Sequence, residues 1–363
     1  MPRPWENSLE SRQALDAGRL LNDPWAMPSI MVDHRWIGDH GIGRFARETI
    51  ARLNGAQRVP LDGSPLHPMD PWRLAKAIKR QQPDVFFTPG FNAPRKQHAP
   101  LVITLHDLIH LDVPEENSRA KAMYYKHIVT PAARSAAGIL TVSAYSRTRI
   151  AEHLGIDEQK ITVVGNGVSA CFKPDGETGH HLNRHHQHHS GYVLYVGNHK
   201  PHKNVPRLID AFARAKIDST IGMVMTGKPD EAMFAQIAQA GLTERVRFIE
   251  GLSDEQLAAT YRGAVALVCP SLYEGFGLPV LEAMACGTPV VCANTTSLPE
   301  VVGDAAQLVD PMDTDAIAQA IEYVVNDPVI HADLRARGLK RADQFSWDKT
   351  ADRVKHVLDT IMQ

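Results

Sequence analysis

Short apolar runs rich in valine and isoleucine alternate with stretches of helical periodicity along almost the whole chain. This order is typical of parallel strands joined by crossover helices. The predicted strands fall within the segments PSIMVDHRW, PDVFFTPG, PLVITLHD, AAGILTVSAYS, GYVLYVGN, STIGMVMTG, RVRFIEGL, ALVCPS, TPVVCAN and AAQLVDP. The pattern therefore predicts an α/β protein whose strands form two doubly wound parallel sheets.

A polar segment, HHLNRHHQHHSG, separates the two series of strands and has no apolar periodicity. We interpret residues 180–191 as a linker between an N-terminal Rossmann-like domain, 1–179, and a C-terminal one, 192–345. Residues 346–363 are predicted to form a last helix. The linker's histidines lie in low-complexity sequence without a fixed ligand geometry, which favours a solvated segment over a metal site. Because open parallel sheets bind ligands beyond the carboxyl ends of their strands, we expect the site in the cleft between the domains.

Length, charge and composition exclude several classes of function. The length of 363 residues suits two domains at roughly 150 residues each. With 39 Lys and Arg against 41 Asp and Glu, the net charge of -2 argues against nucleic-acid binding, so any anion site must be local. No uncharged apolar run approaches the roughly 18 residues of a spanning helix, and the start MPRPWENSLE lacks a secretory pattern. We expect a cytoplasmic protein, and the absence of a CxxC pair indicates reduced cysteines.

The most informative stretch is EGFGLPVLE, which runs from Glu274 to Glu282 after a predicted strand. Two glycines precede Pro279, where we expect a short helix to begin. The unpaired amides at a helix start carry partial positive charge, and the glycines admit a ligand to the main chain, as in a phosphate cradle. Glu274 in the loop and Glu282 in the expected first turn can accept hydrogen bonds from hydroxyls. Taken singly, Glu274 is also explained as a solvated loop charge, and Glu282 as a carboxylate that the helix dipole stabilises. The glycine loop, the proline at the helix start and the two carboxylates together favour a nucleotide-sugar site.

Two other strand ends carry candidate polar residues. The strand GYVLYVGN leads into a loop with Lys200 and Lys203, whose ammonium groups can neutralise a diphosphate leaving group. The strand PLVITLHD ends in His106 and Asp107. We expect His106 to donate hydrogen bonds to a sugar while Asp107 orients its ring. Considered alone, the first loop is also explained by two solvated lysines, and the second strand end by a structural histidine.

A glycine-rich segment, WIGDHGIGRFARETIARL, places Gly38, Gly41 and Gly43 ahead of an expected helix. The spacing is not that of the dinucleotide fingerprint. It still permits close approach of a ligand, and Arg44 in the first turn can reach a phosphate. A plain strand-to-helix turn explains the same residues.

The stretch from Arg119 to Arg149 interleaves basic and aromatic side chains. Such a surface suits peripheral contact with an anionic membrane or with a lipid-linked acceptor. A solvated helix face with a buried aromatic side is the alternative.

The segment EGFGLPVLEAMACGTPVV resembles the Glu-x7-Glu signature of the retaining glycosyltransferases of family four, which have the GT-B fold of two facing Rossmann-like domains. VRFIEGLSDEQLAATYRGAVALVCPS, SLPEVVGDAAQLVDP and HDLIHLDVPE resemble the same family, and the likeness extends from Pro28 over nearly the whole chain. It implies that Glu282 takes the ribose hydroxyls. It also implies that the donor sugar and its phosphates are held by Glu274 and by the amides of Gly275, Phe276, Gly277 and Leu278.

The resemblance assigns roles in the other loops as well. Lys203 matches the family's diphosphate-binding lysine, and His106 matches a histidine that contacts the donor sugar. Asn198 stands where the family has an arginine, and Lys200 is our candidate to replace its charge. By the same resemblance, the N-terminal domain is expected to bind the acceptor and the C-terminal domain the nucleotide sugar. The last helix is expected to pack back on the N-terminal domain.

The glycine loop with Gly41 and Gly43 corresponds to one that touches the donor phosphates in the family. No metal or other cofactor is implied, because the acidic pair Asp313 and Asp315 is better explained by helix capping.

We therefore expect a retaining, metal-independent glycosyltransferase that moves a hexose from a nucleotide sugar to a saccharide or lipid-linked saccharide in surface polysaccharide synthesis. GDP-mannose is the first donor to consider, because TLHDLIHLDVPE and DHGIGRFA resemble bacterial mannosyltransferases. The alternatives are a transferase that uses UDP-glucose or UDP-GlcNAc, and a nucleotide-sugar epimerase or sugar phosphorylase of the same fold. A non-catalytic sugar-nucleotide sensor is the alternative outside enzymes.

Overall fold

The structure is a computed structural model that describes residues 29–179 and 191–363. Within these ranges the chain forms two six-stranded sheets in which every neighbouring pair of strands is parallel. Helices connect the strands in both. The predicted α/β architecture of two doubly wound sheets is confirmed.

The first domain is built on the strands β1 (Ile30–Val32), β2 (Gln57–Arg58), β3 (Val85–Thr88), β4 (Leu101–Thr104), β5 (Gly138–Thr141) and β6 (Ile161–Val163). Its helices are α1 (Gly41–Ile50), α2 (Asp70–Gln81), α3 (Ile109–Asp112), α4 (Arg119–Tyr124), α5 (Thr130–Ser135) and α6 (Ala144–Leu154), with a π-helix at Tyr125–Val129. The order across the sheet is β2-β1-β3-β4-β5-β6.

The second domain contains β7 (Gly191–Tyr195), β8 (Ile221–Thr226), β9 (Val246–Ile249), β10 (Ala266–Cys269), β11 (Val290–Ala293) and β12 (Gln307–Val309). Its helices are α7 (Val205–Arg214), α8 (Glu231–Gln239), α9 (Asp254–Gly263), α10 (Leu278–Ala285), α11 (Leu298–Val302), α12 (Thr314–Asn326) and α13 (Pro328–Ala342), and the last helix of the chain is α14 (Trp347–Met362). The sheet order is β12-β11-β10-β7-β8-β9, so the winding reverses between β7 and β10. Crevices at such reversals are where doubly wound sheets bind ligands.

One predicted boundary changes in the structure, and two strands were not predicted. Gly191, expected to end the linker, is the first residue of β7, because its backbone pairs with the strand that contains Ile221. The rest of the predicted linker, residues 180–190, lies outside the described residues. Strands β2 and β6 were not predicted: β2 is two exposed polar residues, and β6 has only three residues.

The last helix, α14, packs on the first domain against α1, β3 and β5. The rings of Trp347 and Phe45 lie 6.5 Å apart between centroids, and Arg353 donates a hydrogen bond of 2.9 Å to the carbonyl of Val164. The chain therefore crosses between the domains twice.

Polar contacts also join the two domains beside the cleft. The Glu300 carboxylate, from α11, accepts hydrogen bonds from the first amides of α6, those of Ala144 (2.8 Å) and Tyr145 (3.2 Å). The hydroxyl of Ser146 donates to the carbonyl of Gly275 at 3.3 Å. These contacts hold the cleft-forming loops of the two domains against each other.

Three smaller expectations can be compared with the structure. All four cysteines are free, as predicted. Asp313 caps α12 by accepting hydrogen bonds from the amides of Asp315 and Ala316, as predicted. In the part of the chain that the structure describes, no helix has the length and apolar character needed to cross a bilayer.

Candidate active site

A cleft of about 500 Å³ lies between the domains, within the usual size range of small-molecule sites. Its walls are the loops that follow β4, β7 and β10, together with the first turn of α1. The predicted site residues that line it are Gly41, His106, Asp107, Lys203, Glu274, Gly275, Phe276, Gly277, Leu278 and Glu282. Gly43 and Lys200 do not line it.

The loop before α10 has the form of an anion cradle. Gly277 caps the helix with φ of 105°, a left-handed conformation that favours glycine, and the helix begins at Leu278 with Pro279 in its first turn. It therefore starts one residue earlier than predicted, and Glu282 lies in its second turn rather than its first. Within the described residues, the amides of Gly275 to Leu278 donate no hydrogen bond to the protein. These amides are free to bind an anion.

Glu274 is held in place by the loop that precedes α11. Its amide donates to the hydroxyl of Thr296 at 3.1 Å, and its carbonyl accepts from the hydroxyl of Ser297 at 2.9 Å. Thr296 has φ of 55°, a strained conformation for a β-branched residue, and such strain is common at functional sites. The sequence offers no local signal for this support, because more than 20 positions separate the partners.

The side chain of Glu274 forms an ion pair with Lys203, with 2.8 Å between Oε1 and Nζ. Both side chains are largely buried. Burial lowers the pKa of Lys203, but the Glu274 charge outweighs this effect and the pKa is raised. Lys203 is therefore a fully charged ammonium group in the cleft, beside the free amides.

Asp107 faces the Glu274 loop from the first domain. A Cβ atom at Gly275 would lie 2.6 Å from Asp107 Oδ2, so only glycine permits this approach. The other oxygen, Oδ1, accepts a hydrogen bond from the amide of Ile109 at 3.1 Å. Burial, with the nearby charge of Glu274, raises the pKa of Asp107 to about 6.

His106 is oriented by a carbonyl and not, as predicted, by Asp107. Its Nε2 lies 2.8 Å from the carbonyl oxygen of Pro89, which can only accept, so Nε2 carries the proton. The ring of Phe45 packs edge-on against the imidazole. Burial lowers the pKa of His106 to about 4. The ring is neutral near pH 7, and Nδ1 is an acceptor of hydroxyl hydrogen bonds rather than the expected donor.

Glu282 is almost entirely buried and has partners on both oxygens. Oε2 accepts a hydrogen bond from the hydroxyl of Tyr261 at 3.0 Å, and Oε1 forms an ion pair with Arg44 from the first domain. Arg44 also pairs with Asp254 at the start of α9. Burial raises the pKa of Glu282 to about 7, although Arg44 acts in the opposite direction. Tyr261 and Asp254 have no motif of their own, and sequence reasoning missed them.

The glycine loop differs from the prediction. Helix α1 begins at Gly41, so Gly41 and Gly43 lie in its first turn and not ahead of it, and His40 Nδ1 accepts from the amide of Gly43 at 3.0 Å. Gly41 lines the cleft. Gly43 is buried against the backbone of Gly38, whose carbonyl oxygen would lie 2.4 Å from a Cβ atom at position 43. Gly43 thus packs the turn rather than touching a ligand.

Lys200 is held away from the cleft. Its Nζ pairs with Glu116 of the first domain at 2.7 Å. His202 approaches the other oxygen of the same carboxylate at 3.3 Å. The prediction that Lys200 supplies a positive charge to the cleft is therefore wrong in this structure.

Comparison with known proteins identifies the family. A family model described as glycosyl transferases group 1 matches residues 183–343, and one described as glycosyltransferase family 4 matches residues 32–170. The O-antigen chain mannosyltransferase B of Escherichia coli is 33% identical over 299 residues, which cover 80% of this chain and 78% of the relative. The MMP alpha-(1->4)-mannosyltransferase of Mycolicibacterium hassiacum is 32% identical over 272 residues, which cover 70% of this chain and 64% of the relative.

The fold also matches a solved structure. Sucrose-phosphate synthase from Thermosynechococcus elongatus superimposes with a TM-score of 0.75, covering 93% of this chain and 99% of that one at 20% identity. At 20% identity, this similarity is evidence for a shared fold only. Together with the family models and relatives, it shows that the chain belongs to the group 1 glycosyltransferases and has their two-domain GT-B architecture.

Proposed function

We propose that this enzyme transfers mannose from GDP-mannose to a saccharide or lipid-linked saccharide of a surface polysaccharide, with retention of configuration and without a metal ion. The observation that carries the proposal is the meeting of Glu274, Lys203 and the free amides of Gly275 to Leu278 in one cleft. Positive groups beside hydroxyl acceptors suit a hexose joined to a diphosphate. The two relatives named as mannosyltransferases support mannose as the sugar.

The residues in the cleft have distinct roles in the proposed reaction. The bond between the hexose C1 and the diphosphate oxygen breaks while Lys203 and the amides neutralise the leaving group. Glu274 and the free nitrogen of His106 accept hydrogen bonds from hexose hydroxyls and fix the sugar for attack. The acceptor oxygen bonds to C1 on the face that the diphosphate leaves, and its proton passes to a diphosphate oxygen. Because protein groups supply the positive charge, no step is assigned to a metal.

Release of nucleoside diphosphate, measured with and without acceptor, tests this function. We expect GDP-mannose to give GDP and a mannosylated product only with a saccharide or lipid-linked acceptor, at a rate that a chelator leaves unchanged. Conversion of the donor without acceptor would identify an epimerase and contradict transfer. Formation of sugar phosphate from a glycan and inorganic phosphate would identify a phosphorylase. Turnover of UDP-glucose or UDP-GlcNAc alone would replace the proposed donor, and loss of activity with chelator would contradict the metal-independent step.

A peripheral membrane contact forms part of the proposal, because a lipid-linked acceptor is presented at a bilayer. In the stretch 119–149, which the sequence singles out, four of the six lysines and arginines are engaged by the protein, whereas Arg119 and Lys126 are exposed. Lys121 donates to the carbonyl of Glu116, Arg134 donates to that of Leu154, Arg147 pairs with Glu158, and Arg149 pairs with Asp112. Helix α2 is the better candidate.

The exposed face of α2 combines cations with an aromatic side chain. It presents Arg73, Lys76, Lys79 and Arg80, and the one acid of the helix, Asp70, is buried. Trp72 is 51% exposed in its first turn. A basic helix face with an exposed tryptophan suits the interface of an anionic bilayer.

Charge reversal on α2 tests the membrane contact. We expect the double variant Lys76→Glu/Lys79→Glu to bind phosphatidylglycerol-containing vesicles at least about tenfold more weakly than the natural chain, since each basic residue near the surface contributes about 1 kcal/mol. Co-sedimentation measures the binding, with pure phosphatidylcholine vesicles as the uncharged reference. The matched control, Lys340→Glu/Lys355→Glu, changes exposed lysines of α13 and α14. Equal binding by the α2 variant and the natural chain would rule out this surface.

A further inference from the structure

The diphosphate of a nucleotide sugar carries more negative charge than one lysine neutralises. The loop after β7 contributes Lys203 to the cleft, whereas Lys200 of the same loop is bound to Glu116 and does not line the cleft. A second positive group for the diphosphate must therefore come from elsewhere if the donor is bound as proposed. Among the described residues that line the cleft there is one lysine, Lys203, and one arginine, Arg44.

Arg44 and Lys203 are each paired with a carboxylate of the cleft, and Arg44 also pairs with Asp254. Lys203 is paired with Glu274, and Arg44 is paired with Glu282. These two carboxylates are the ones expected to receive donor hydroxyls, Glu274 from the hexose and Glu282 from the ribose. The diphosphate joins hexose to ribose, so it lies between the two carboxylates and near both of their cationic partners.

Arg44 is well placed for an exchange of partners. Its guanidinium group comes from the first turn of α1 in the first domain, whereas Glu282 and Asp254 belong to the second. The side chain is 17% exposed. Its guanidinium carbon lies over the ring of Phe172, 5.5 Å from the ring centroid. A guanidinium group binds phosphate as readily as carboxylate and can present two donors to it.

We infer that Arg44 is the second diphosphate-binding cation of the cleft. This inference rests on the proposed function. When the donor binds, ribose hydroxyls take over Glu282 and the hexose takes over Glu274, and both cations turn to the phosphates. Because Arg44 belongs to the first domain, the exchange makes diphosphate binding depend on residues of both domains.

Calorimetric titration with GDP tests the role of Arg44. We expect Arg44→Gln to weaken GDP binding about tenfold to a hundredfold, the size of a lost charge-assisted hydrogen bond. We expect Arg44→Lys to recover part of the affinity, and Lys200→Gln to bind within about twofold of the natural chain, as the matched loss of a cation outside the cleft. Thermal unfolding checks that each variant is folded. If Arg44→Gln disrupts the contact between the domains, the GDP affinity of Arg44→Lys still tests the role of the charge.

The Glu282→Gln background separates two roles of Arg44. If Arg44 binds the diphosphate, Arg44→Gln still weakens GDP binding about tenfold in a chain that already lacks the Glu282 charge. No further loss in that background would overturn the inference, because Arg44 would then act only through Glu282. Equal or tighter GDP binding by Arg44→Gln alone would overturn it too, as would an equal loss in Lys200→Gln. A natural chain that binds no nucleoside diphosphate would instead overturn the proposed function, and the inference with it.

Discussion

Replacing Glu274 by glutamine is expected to slow transfer by about a hundredfold to a thousandfold while the chain keeps its fold. The amide is close in shape to the carboxylate but carries no charge, so it accepts hydrogen bonds from hexose hydroxyls more weakly in the transition state. It also leaves Lys203 without the carboxylate 2.8 Å away that holds it in position. The fold is expected to persist because the hydrogen bonds with Thr296 and Ser297 involve the backbone of residue 274.

The rate of GDP release in the presence of acceptor measures this effect, and thermal unfolding measures the stability. Glu231→Gln is the matched control, since Glu231 is an exposed carboxylate in the first turn of α8. The control is expected to transfer at the natural rate. Turnover by Glu274→Gln at the rate of the control would contradict the role assigned to this carboxylate.

The second large effect is expected from Lys203→Gln, with kcat reduced by about a hundredfold. The ammonium group is charged and largely buried, so it stabilises a departing diphosphate in surroundings where water screens little. Lys200→Gln, three residues earlier in the same loop, is the matched control because Lys200 is paired with Glu116 outside the cleft.

Steady-state kinetics with varied donor distinguish a catalytic loss from a binding loss. We expect kcat to fall in Lys203→Gln by a larger factor than KM rises, since the charge on the diphosphate grows as the bond to C1 breaks. A Lys200→Gln variant as slow as Lys203→Gln would show that the loop acts by its total charge. That result would contradict the assignment to Lys203.

The strand and helix pattern, and the loop with Glu274 and Glu282, were predictable because their signals are local. Buried parallel strands read as continuous apolar runs, and the glycines before Pro279 mark a strand-to-helix turn. The start of α10 was wrong by one residue because Gly277, with its positive φ, ends the loop and makes Leu278 the first helical position. Strand β2 has no apolar signal because both of its residues are exposed.

The errors in the site have a common cause, which is contact between segments far apart in the chain. Lys200 is diverted by Glu116, which belongs to the other domain. The ring of His106 is oriented by the carbonyl of Pro89 in the loop after β3, a backbone group that no sequence motif marks. The partners of Glu282 are distant in the same way, since Arg44 reaches it across the cleft. Local periodicity places each residue on its loop but does not determine which partner it meets there.

The central claim is that the two domains enclose one nucleotide sugar whose diphosphate is neutralised by protein groups. A crystal structure of the enzyme with bound GDP-mannose tests it most directly. We predict the diphosphate within hydrogen-bonding distance of Lys203 Nζ and the amides of Gly275 to Leu278, with hexose hydroxyls on Glu274 and ribose hydroxyls on Glu282. A nucleotide bound outside the cleft, or a diphosphate that does not contact Lys203 and these amides, would contradict the account.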